Sequence, residues 1–391
     1  MKTRFLATMS HDIRTPLNGI IGMVNMENQY ADDSQMQQKI REKVMESLKY
    51  LVSLVNDVLD MNKLQSGDLK DQQLLFDLTM VLRELNQIYD ERAAKKVIRY
   101  EIDWKNGTYS HSALVGNPVY LGRILSNTMD NAIKFSQAGS VITVWVEEET
   151  LDDGRAIFTF YCKDQGVGMS EDFIAHAFDM FSQESKTSRS RYEGTGLGLA
   201  ITKQLMDRMD GSIELKSKAG VGTTVIVKIP FKIGTQDKNS NLSDKPVSLD
   251  DYSVEGMRAL VVEDNELNME ISRCILEDSG MEVTCAVDGQ EAVEIFEKSA
   301  PDYFGVIYMD VMMPRMNGLD AARTIREMKR RDARRVPIIA MSANAFAEDI
   351  INSRLAGMNV HLAKPLDAEK MIVALKQCMA DNSDVKLHED L

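Results

Sequence analysis

The chain has 391 residues, enough for about two to three domains rather than one small module. Its 60 acidic and 46 basic residues leave a net charge of −14, which argues against a wholesale nucleic-acid coat, because phosphate binding needs positive surface. With 44% apolar and 27% charged residues, no apolar run of roughly 18 and no apolar leader, the composition is that of soluble globular domains without a membrane segment. Cys162, Cys274, Cys285 and Cys378 form no C-x-x-C pair. Scattered thiols of this kind suit a reducing cytoplasm and serve as small buried hydrophobes.

Residues 1–68 read as two long helices. In the second, Ile40, Val44, Leu48, Leu51, Val55 and Val58 recur at steps of 4, 4, 3, 4 and 3, a helical stripe with heptad character. The first carries Phe5, Met9, Ile13, Ile20 and Val24, with Pro16 expected to bend it. Two such helices make a poor core alone, so a homodimer closing a four-helix bundle is expected. Residues 69–233 mix strand-like runs at 141–146, 157–161 and 223–227 with helical patterns at 74–95, 117–135 and 197–209, an α/β sandwich pattern. Residues 234–256 are polar and read as a linker. From 257 to 381 strands and helices alternate, with strands at 259–262, 282–286, 306–309, 337–341 and 360–363. Five such repeats imply a flavodoxin-like, doubly wound parallel sheet. Residues 382–391 read as a polar tail, and the basic run 326–335 as a solvated helix C-terminus.

In a parallel sheet of this kind ligands bind beyond the carboxyl ends of the strands. Glu263, Asp264 and Asp310 are expected there, with Ser342 and Lys364. Clustered carboxylates call for a cation, and an oxygen-only donor set favours Mg²⁺. Asp310 is then a candidate nucleophile towards phosphorus, with Lys364 neutralising phosphoryl charge and Ser342 donating a hydrogen bond. VVEDN (261–265), MDVMMPRMNG (309–318), MSANAF (341–346) and AKPL (363–366) resemble a response-regulator receiver domain. The resemblance implies that Asp310 is the phosphoacceptor, that the Met312 carbonyl joins Glu263 and Asp264 around Mg²⁺, and that Ser342 and Lys364 sense the phosphoryl group. Where that family often has Tyr or Phe, this chain has His361, which puts a titratable ring at the switch position.

In the middle region Asn127, Asn131 and Lys134 lie at i, i+4 and i+7 on one helix face, offering a carbonyl to Mg²⁺ and a charge to phosphate. Downstream, Asp164 can accept from an exocyclic amine, while Gly166 and Gly168 let backbone approach a flat base. Gly194, Gly196 and Gly198 open a helix as a phosphate cradle. NTMDNAIKFS (127–136), DQGVGM (164–169), Phe178 with Phe181, and GTGLGLAI (194–201) resemble the ATP-binding domain shared by histidine kinases, Hsp90-type chaperones and gyrases. That likeness implies Mg²⁺ at Asn131 and adenine at Asp164. The polar stretch from Ser182 to Glu193 reads as a lid.

His11 adjoins Asp12, with Thr15 one turn on and Pro16 after it. A neutral imidazole is a competent nucleophile, and a neighbouring carboxylate can take its proton. FLATMSHDIRTPLNGIIGM (5–23) and LVSLVNDVLDMNKLQSG (51–67) resemble the phosphoacceptor hairpin of sensor histidine kinases. By that resemblance His11 accepts the γ-phosphoryl of ATP, Asp12 is the general base, and Thr15 orients water for the reverse, phosphatase reaction. Together the motifs resemble a hybrid sensor histidine kinase: autophosphorylation on His11, transfer to Asp310, then transfer to a histidine-containing phosphotransfer protein or response regulator. A net phosphatase of a partner regulator and a non-catalytic scaffold are the alternatives. A chaperone-type ATPase is disfavoured by the hairpin and the receiver. Sensor input is expected from outside these 391 residues, and the location is expected to be cytoplasmic or the cytoplasmic part of a membrane-anchored sensor.

Overall fold

The structure, a computed structural model, describes residues 2–27, 30, 33–66, 73–103, 107–183, 196–234, 252–342, 347–364 and 366–389. Two compact units emerge, Met1–Leu78 with Gln87–Gly234, and Thr79–Asn86 with Thr235–Leu391.

The first unit begins with α1 (Lys2–Glu27), which contains Pro16, and α2 (Ser34–Ser66). Ile40 and Leu54 of α2 are buried, but Met45, Leu48, Val52 and Val55 are exposed at steps of 3, 4 and 3. Leu17, Ile21 and Val24 of α1 are exposed as well. Next come β1 (Leu74–Asp77), α3 (Leu78–Lys95, of which Thr79–Asn86 groups with the second unit), β2 (Arg99–Ile102), β3 (Ala113–Gly116), α4 (Pro118–Phe135), β4 (Val141–Thr150) and β5 (Arg155–Asp164). A single turn, α5 (Glu171–Ile174), α6 (Gly198–Arg208), β6 (Ser212–Lys218) and β7 (Gly222–Ile233) complete the unit. The sheet runs β1-β3-β7-β5-β4-β2, with β6 also paired to β7; β2 and β4 are parallel, and the other pairs are antiparallel. The helical pattern expected from residue 74 therefore starts four residues late, because Leu74–Asp77 is drawn into the sheet edge by β3. Asn117 caps α4 by accepting from the Tyr120 amide at 3.0 Å, and Pro118 supplies the fixed φ of a first helical residue. Buried Phe158 meets Phe231 edge-on at 5.9 Å, and Phe231 meets Phe76 in the same way at 5.7 Å, tying central strands to the edge.

The second unit carries β8 (Arg258–Val262), α7 (Glu266–Asp278), β9 (Glu282–Ala286), α8 (Gly289–Lys298), β10 (Val306–Asp310), α9 (Gly318–Glu327), β11 (Ile338–Ser342), α10 (Ala347–Leu355), β12 (Val360–Ala363) and α11 (Ala368–Glu389). The order β12-β11-β10-β8-β9 is parallel throughout. Alternate residues feed two cores. Leu260, Val262, Ile307, Met309, Ile338 and Ala340 pack with α8 and α9. Ala259, Val261, Val306, Tyr308, Ile339 and Met341 pack with α7 and α11. Covering both faces is why these strands read as continuous apolar runs. Asn265, Asp288 and Asn317 cap the first three helices of this unit through their side chains.

Three readings of the sequence change here. Residues 382–389, read as a polar tail, continue α11 to Glu389. The last part of the expected linker folds onto the second unit, where Val254 packs against the α7/α11 core. In the basic run, Arg326 donates to the Gly357 and Ala333 carbonyls at 2.8 and 2.7 Å and to Asn359 Oδ1 at 2.9 Å. Arg330 donates to the Ser299 and Ala300 carbonyls at 3.2 and 3.1 Å and pairs with Asp332 at 2.6 Å. These two arginines brace loops from inside, whereas Arg331 and Arg334 face solvent. Arg326→Met is expected to cost about 2–4 kcal/mol of second-unit stability, since it removes three hydrogen bonds and takes this donor from the part-buried Gly357 and Ala333 carbonyls. Arg331→Ala is expected to cost under ~0.5 kcal/mol, and urea unfolding separates the two outcomes.

Candidate functional site

The nucleotide-type site is built where β5 ends. Asp164, the last residue of that strand, is buried, and its Oδ1 accepts the Gly166 amide at 2.8 Å and the Thr223 amide at 3.2 Å. Burial raises its pKa from the ordinary carboxylate range, and the two amides pull it back in part. Both amides lie on one oxygen, Oδ1. A Cβ at Gly166 would stand 2.6 Å from the Phe135 carbonyl oxygen, so only glycine lets the chain pass there. Gly222 has a φ of +131°, and its Cβ would collide with the Asp164 carbonyl.

On α4, Asn127 donates through Nδ2 to the Gly198 carbonyl and to Thr202 Oγ1, each at 3.2 Å. Its amide therefore fastens α6 to α4 and sets the position of the α6 N-terminus. Helix α6 starts at Gly198 with Leu197 at its N-cap and no side-chain cap bond among the described residues. Asn131 lies one turn on from Asn127, and the Lys134 ammonium sits 4.9 Å from the centre of the Phe135 ring. Asp130 is turned away and pairs with Arg92 at 2.9 Å. Lys96 holds the end of α4 by donating to the Ile133 and Lys134 carbonyls at 2.6 and 2.9 Å. Gly194 and most of the expected lid lie outside the described residues, as do the side chains of His11 and Asp12, while Thr15 is an exposed residue of α1.

The second site is the carboxyl edge of the parallel sheet. Carboxylate oxygens of Glu263, Asp264 and Asp310 lie within 4.8 Å of one another. Lys364 donates to Glu263 Oε2 at 2.5 Å and to Asp310 Oδ2 at 2.6 Å. Burial alone would lower the lysine pKa, but its hydrogen bonds to Asp310 and Glu263 outweigh that and hold the ammonium above its usual range. Asp310 Oδ1 accepts the Met312 amide at 3.2 Å, and Glu263 Oε1 accepts Asn268 Nδ2 at 2.9 Å. A hard, oxygen-only donor set with three negative charges and one bridging ammonium fits a divalent cation such as Mg²⁺. Ser342 is buried and bonded to His361 Nε2 at 2.7 Å. The edge thus brings together the five residues that the strand-end argument placed there.

Four contributors escaped the sequence. The Thr223 amide, Gly222 and Thr202 act through backbone or a second-layer hydroxyl, and Ser353 holds the far side of His361 at 2.9 Å. A backbone donor leaves no side-chain signature. Only the Gly222-Thr223 pair opening a strand-like run could have hinted at one.

Comparison with known proteins gives these two sites a setting. Residues 1–67 match the His Kinase A phospho-acceptor domain, 116–233 the histidine kinase-, DNA gyrase B- and HSP90-like ATPase, and 259–376 the response regulator receiver domain. The sensory/regulatory protein RpfC of Xanthomonas campestris pv. campestris is 30% identical over 395 residues, covering 96% of this chain and 54% of that protein. The autoinducer 2 sensor kinase/phosphatase LuxQ of Vibrio parahaemolyticus is 31% identical over 367 residues, 93% of this chain and 41% of that protein. A crystal structure of full-length ShkA in complex with AMPPNP aligns with a TM-score of 0.48 at 22% identity, over 96% of this chain and 99% of that one. The three domain families follow one another along the chain in the order phospho-acceptor domain, ATPase domain, receiver domain. The chain belongs to the hybrid sensor histidine kinases and spans about half the length of the curated relatives it matches.

Gly222→Ala is expected to move Thr223 off Asp164 and to weaken binding of a fluorescent ATP analogue about tenfold or more, roughly 1.4 kcal/mol. Unchanged affinity in that variant counts against the Asp164 geometry as a nucleotide determinant.

Proposed function

We propose that the chain phosphorylates itself on His11 from ATP and passes the phosphoryl group to Asp310. The observation that carries this reading is the Asp310 carboxylate, buried beside Glu263 and held by Lys364 at 2.6 Å, next to a three-carboxylate cation site. A imidazole nitrogen of His11 attacks the γ-phosphorus; the N–P bond forms, the P–O bond to ADP breaks with its electron pair, and Asp12 takes the ring proton. An oxygen of Asp310 then attacks the phosphorus, the N–P bond breaks, and the imidazole leaves with a proton. Bound Mg²⁺ supplies charge neutralisation at both transfers. Asn131 would hold the nucleotide's Mg²⁺ and Lys134 its phosphates, Asp164 accepts from the adenine amine, and Gly194, Gly196 and Gly198 open the cradle. Glu263, Asp264, Asp310 and the Met312 carbonyl hold the receiver's cation, Lys364 draws in phosphoryl charge, and Ser342 donates to it.

The exposed stripe Met45, Leu48, Val52 and Val55, with Leu17, Ile21 and Val24 on the facing helix, supports a homodimer through the hairpin. In this reading residues 1–68, 69–233 and 257–381 are the working domains and 234–256 joins them. The receiver hands its phosphoryl group to a separate histidine-containing phosphotransfer protein or response regulator, and sensor input comes from other residues or another protein. Among the described residues no helix is long and apolar enough to cross a membrane. That is consistent with a cytoplasmic kinase portion, whether free or attached to a membrane sensor. A second reading, a balance of kinase and phosphatase, is favoured by Thr15 one turn after His11 and by the sensor kinase/phosphatase name of a 31% identical relative.

Incubation with γ-labelled ATP and Mg²⁺ is expected to give both acid-labile and base-labile label. His11→Gln is expected to lose both, and Asp310→Asn the base-labile fraction. Chelating the divalent cation with EDTA abolishes both. Thr15→Ala is expected to keep the label and lengthen its lifetime. A wild-type chain that takes no label sinks the kinase reading.

A further inference from the structure

Strand β7 has two edges. One pairs with β5 from Thr224 to Lys232. The other is shared: β6 takes it up to Lys228, opposite Ser212, and β3 takes it from Lys232, opposite Val115. Ile229, Pro230 and Phe231 lie between these two partners, so the sheet edge has a notch there. Pro230 suits such a gap, because it has no amide hydrogen to leave unpaired. The notch holds a cavity of about 280 Å³, with Asn117, at the start of α4, and Asp210, just after α6, on its walls.

The charge around this cavity is uneven. Arg155, Arg208 and Lys232 line it, with Asp210 as the one lining carboxylate. Register brings two of the cations together. Arg155 stands directly opposite Lys232 across β5 and β7, so their side chains leave the same face of the sheet. Arg155 gives Nε and Nη2 to Asp153 Oδ2, at 2.8 and 2.6 Å, and Nη1 takes no part in that pair. Counting Asp153, three cations meet two carboxylates, a local positive surplus in a chain whose net charge is −14. Asn117 adds a neutral donor. It is only 7% exposed, and its Oδ1 is taken by the Tyr120 amide at 3.0 Å. Its Nδ2 donates to none of the described residues. A buried amide hydrogen without an acceptor costs free energy that a ligand's oxygen would recover.

We propose that this notch binds a small oxyanion, a carboxylate or a phosphate, between the Arg155 and Lys232 side chains and Asn117 Nδ2. Charged nitrogens beside a buried N–H are the donor set that such an anion takes. The site is distinct from the one at Asp164. Arg155 and Asp164 are the two ends of a ten-residue strand, about 30 Å apart along β5. A ligand in the notch therefore does not compete with one held at Asp164.

The test follows the arginine Nε–H resonances of the full chain, ¹⁵N-labelled at arginine, during titration with inorganic phosphate and, separately, with succinate. Sodium chloride at matched ionic strength is the reference, and Arg155→Lys and Arg208→Lys identify the two signals. The Arg155 signal is expected to shift saturably with at least one of the two anions. It is expected to do so equally when a non-hydrolysable ATP analogue with Mg²⁺ is saturating. A response to phosphate alone, or to succinate alone, supports the proposal and names the oxyanion. Asn117→Ser keeps an oxygen for the Tyr120 amide and removes Nδ2, and Lys232→Gln removes a charge from an exposed strand end. Each is expected to raise the half-saturating concentration about tenfold or more, the worth of one hydrogen bond to a charged group. A shift no larger than that in sodium chloride, a shift abolished by the nucleotide analogue, or an unchanged half-saturation in either variant overturns the proposal.

Discussion

Each unit depends on a carboxylate buried at the end of a strand and aimed by the amide two residues further on. Asp164 closes β5 and accepts the Gly166 amide at 2.8 Å; Asp310 closes β10 and accepts the Met312 amide at 3.2 Å. In both cases Oδ1 takes the backbone bond. In the receiver Oδ2 takes Lys364 at 2.6 Å, and in the ATPase domain Oδ1 takes a second backbone amide, that of Thr223, at 3.2 Å. This is the turn that Asp forms with its own backbone, used to fix the rotamer of a group that must not wander. Desolvation disfavours the charged form at such a site, so each carboxylate needs compensation from oriented dipoles or an ammonium. The rest of each site supplies that compensation.

The demands fall on residues that never touch a ligand. Backbone must pass close to each aspartate, so a Cβ at Gly166 would strike the Phe135 carbonyl, one at Gly222 the Asp164 carbonyl, and one at Gly318 the Asp310 carbonyl. Helix starts must be fixed, so Asn127 bonds Gly198 and Thr202, and Lys96 holds the far end of α4. The strand order β12-β11-β10 brings Lys364 and Ser342 alongside Asp310 although they are far apart in sequence. A site of this kind is positioned by topology first and by side-chain packing second.

That ordering accounts for what was legible in the sequence. The receiver strands were readable almost to the residue, because strands buried on both faces are short apolar runs between polar helices. Asp310, Glu263, Asp264, Ser342 and Lys364 followed from asking what stands at their ends. The mixed sheet was less readable: β1, β2 and β3 have four residues each, too few to show a period, and Leu74–Asp77 carries on directly into α3. Residues 382–389 are polar enough to pass for a tail, yet α11 continues through them. Asn127 was read as facing a nucleotide, and its amide bonds Gly198 and Thr202 of α6; spacing identifies a face and not the partner chosen. The arginines at 326 and 330 show the same gap, since a basic run looks alike whether its guanidiniums meet solvent or buried carbonyls.

Charge at the receiver edge closes the argument. Three carboxylates facing one ammonium leave a surplus of negative charge, which a divalent cation balances and an incoming phosphoryl group restores. Electrostatics of that kind decide whether the group is tolerated and leave its orientation open. Orientation falls to neutral donors, and the Ser342 hydroxyl is such a donor at the end of β11, already bonded to His361 at 2.7 Å.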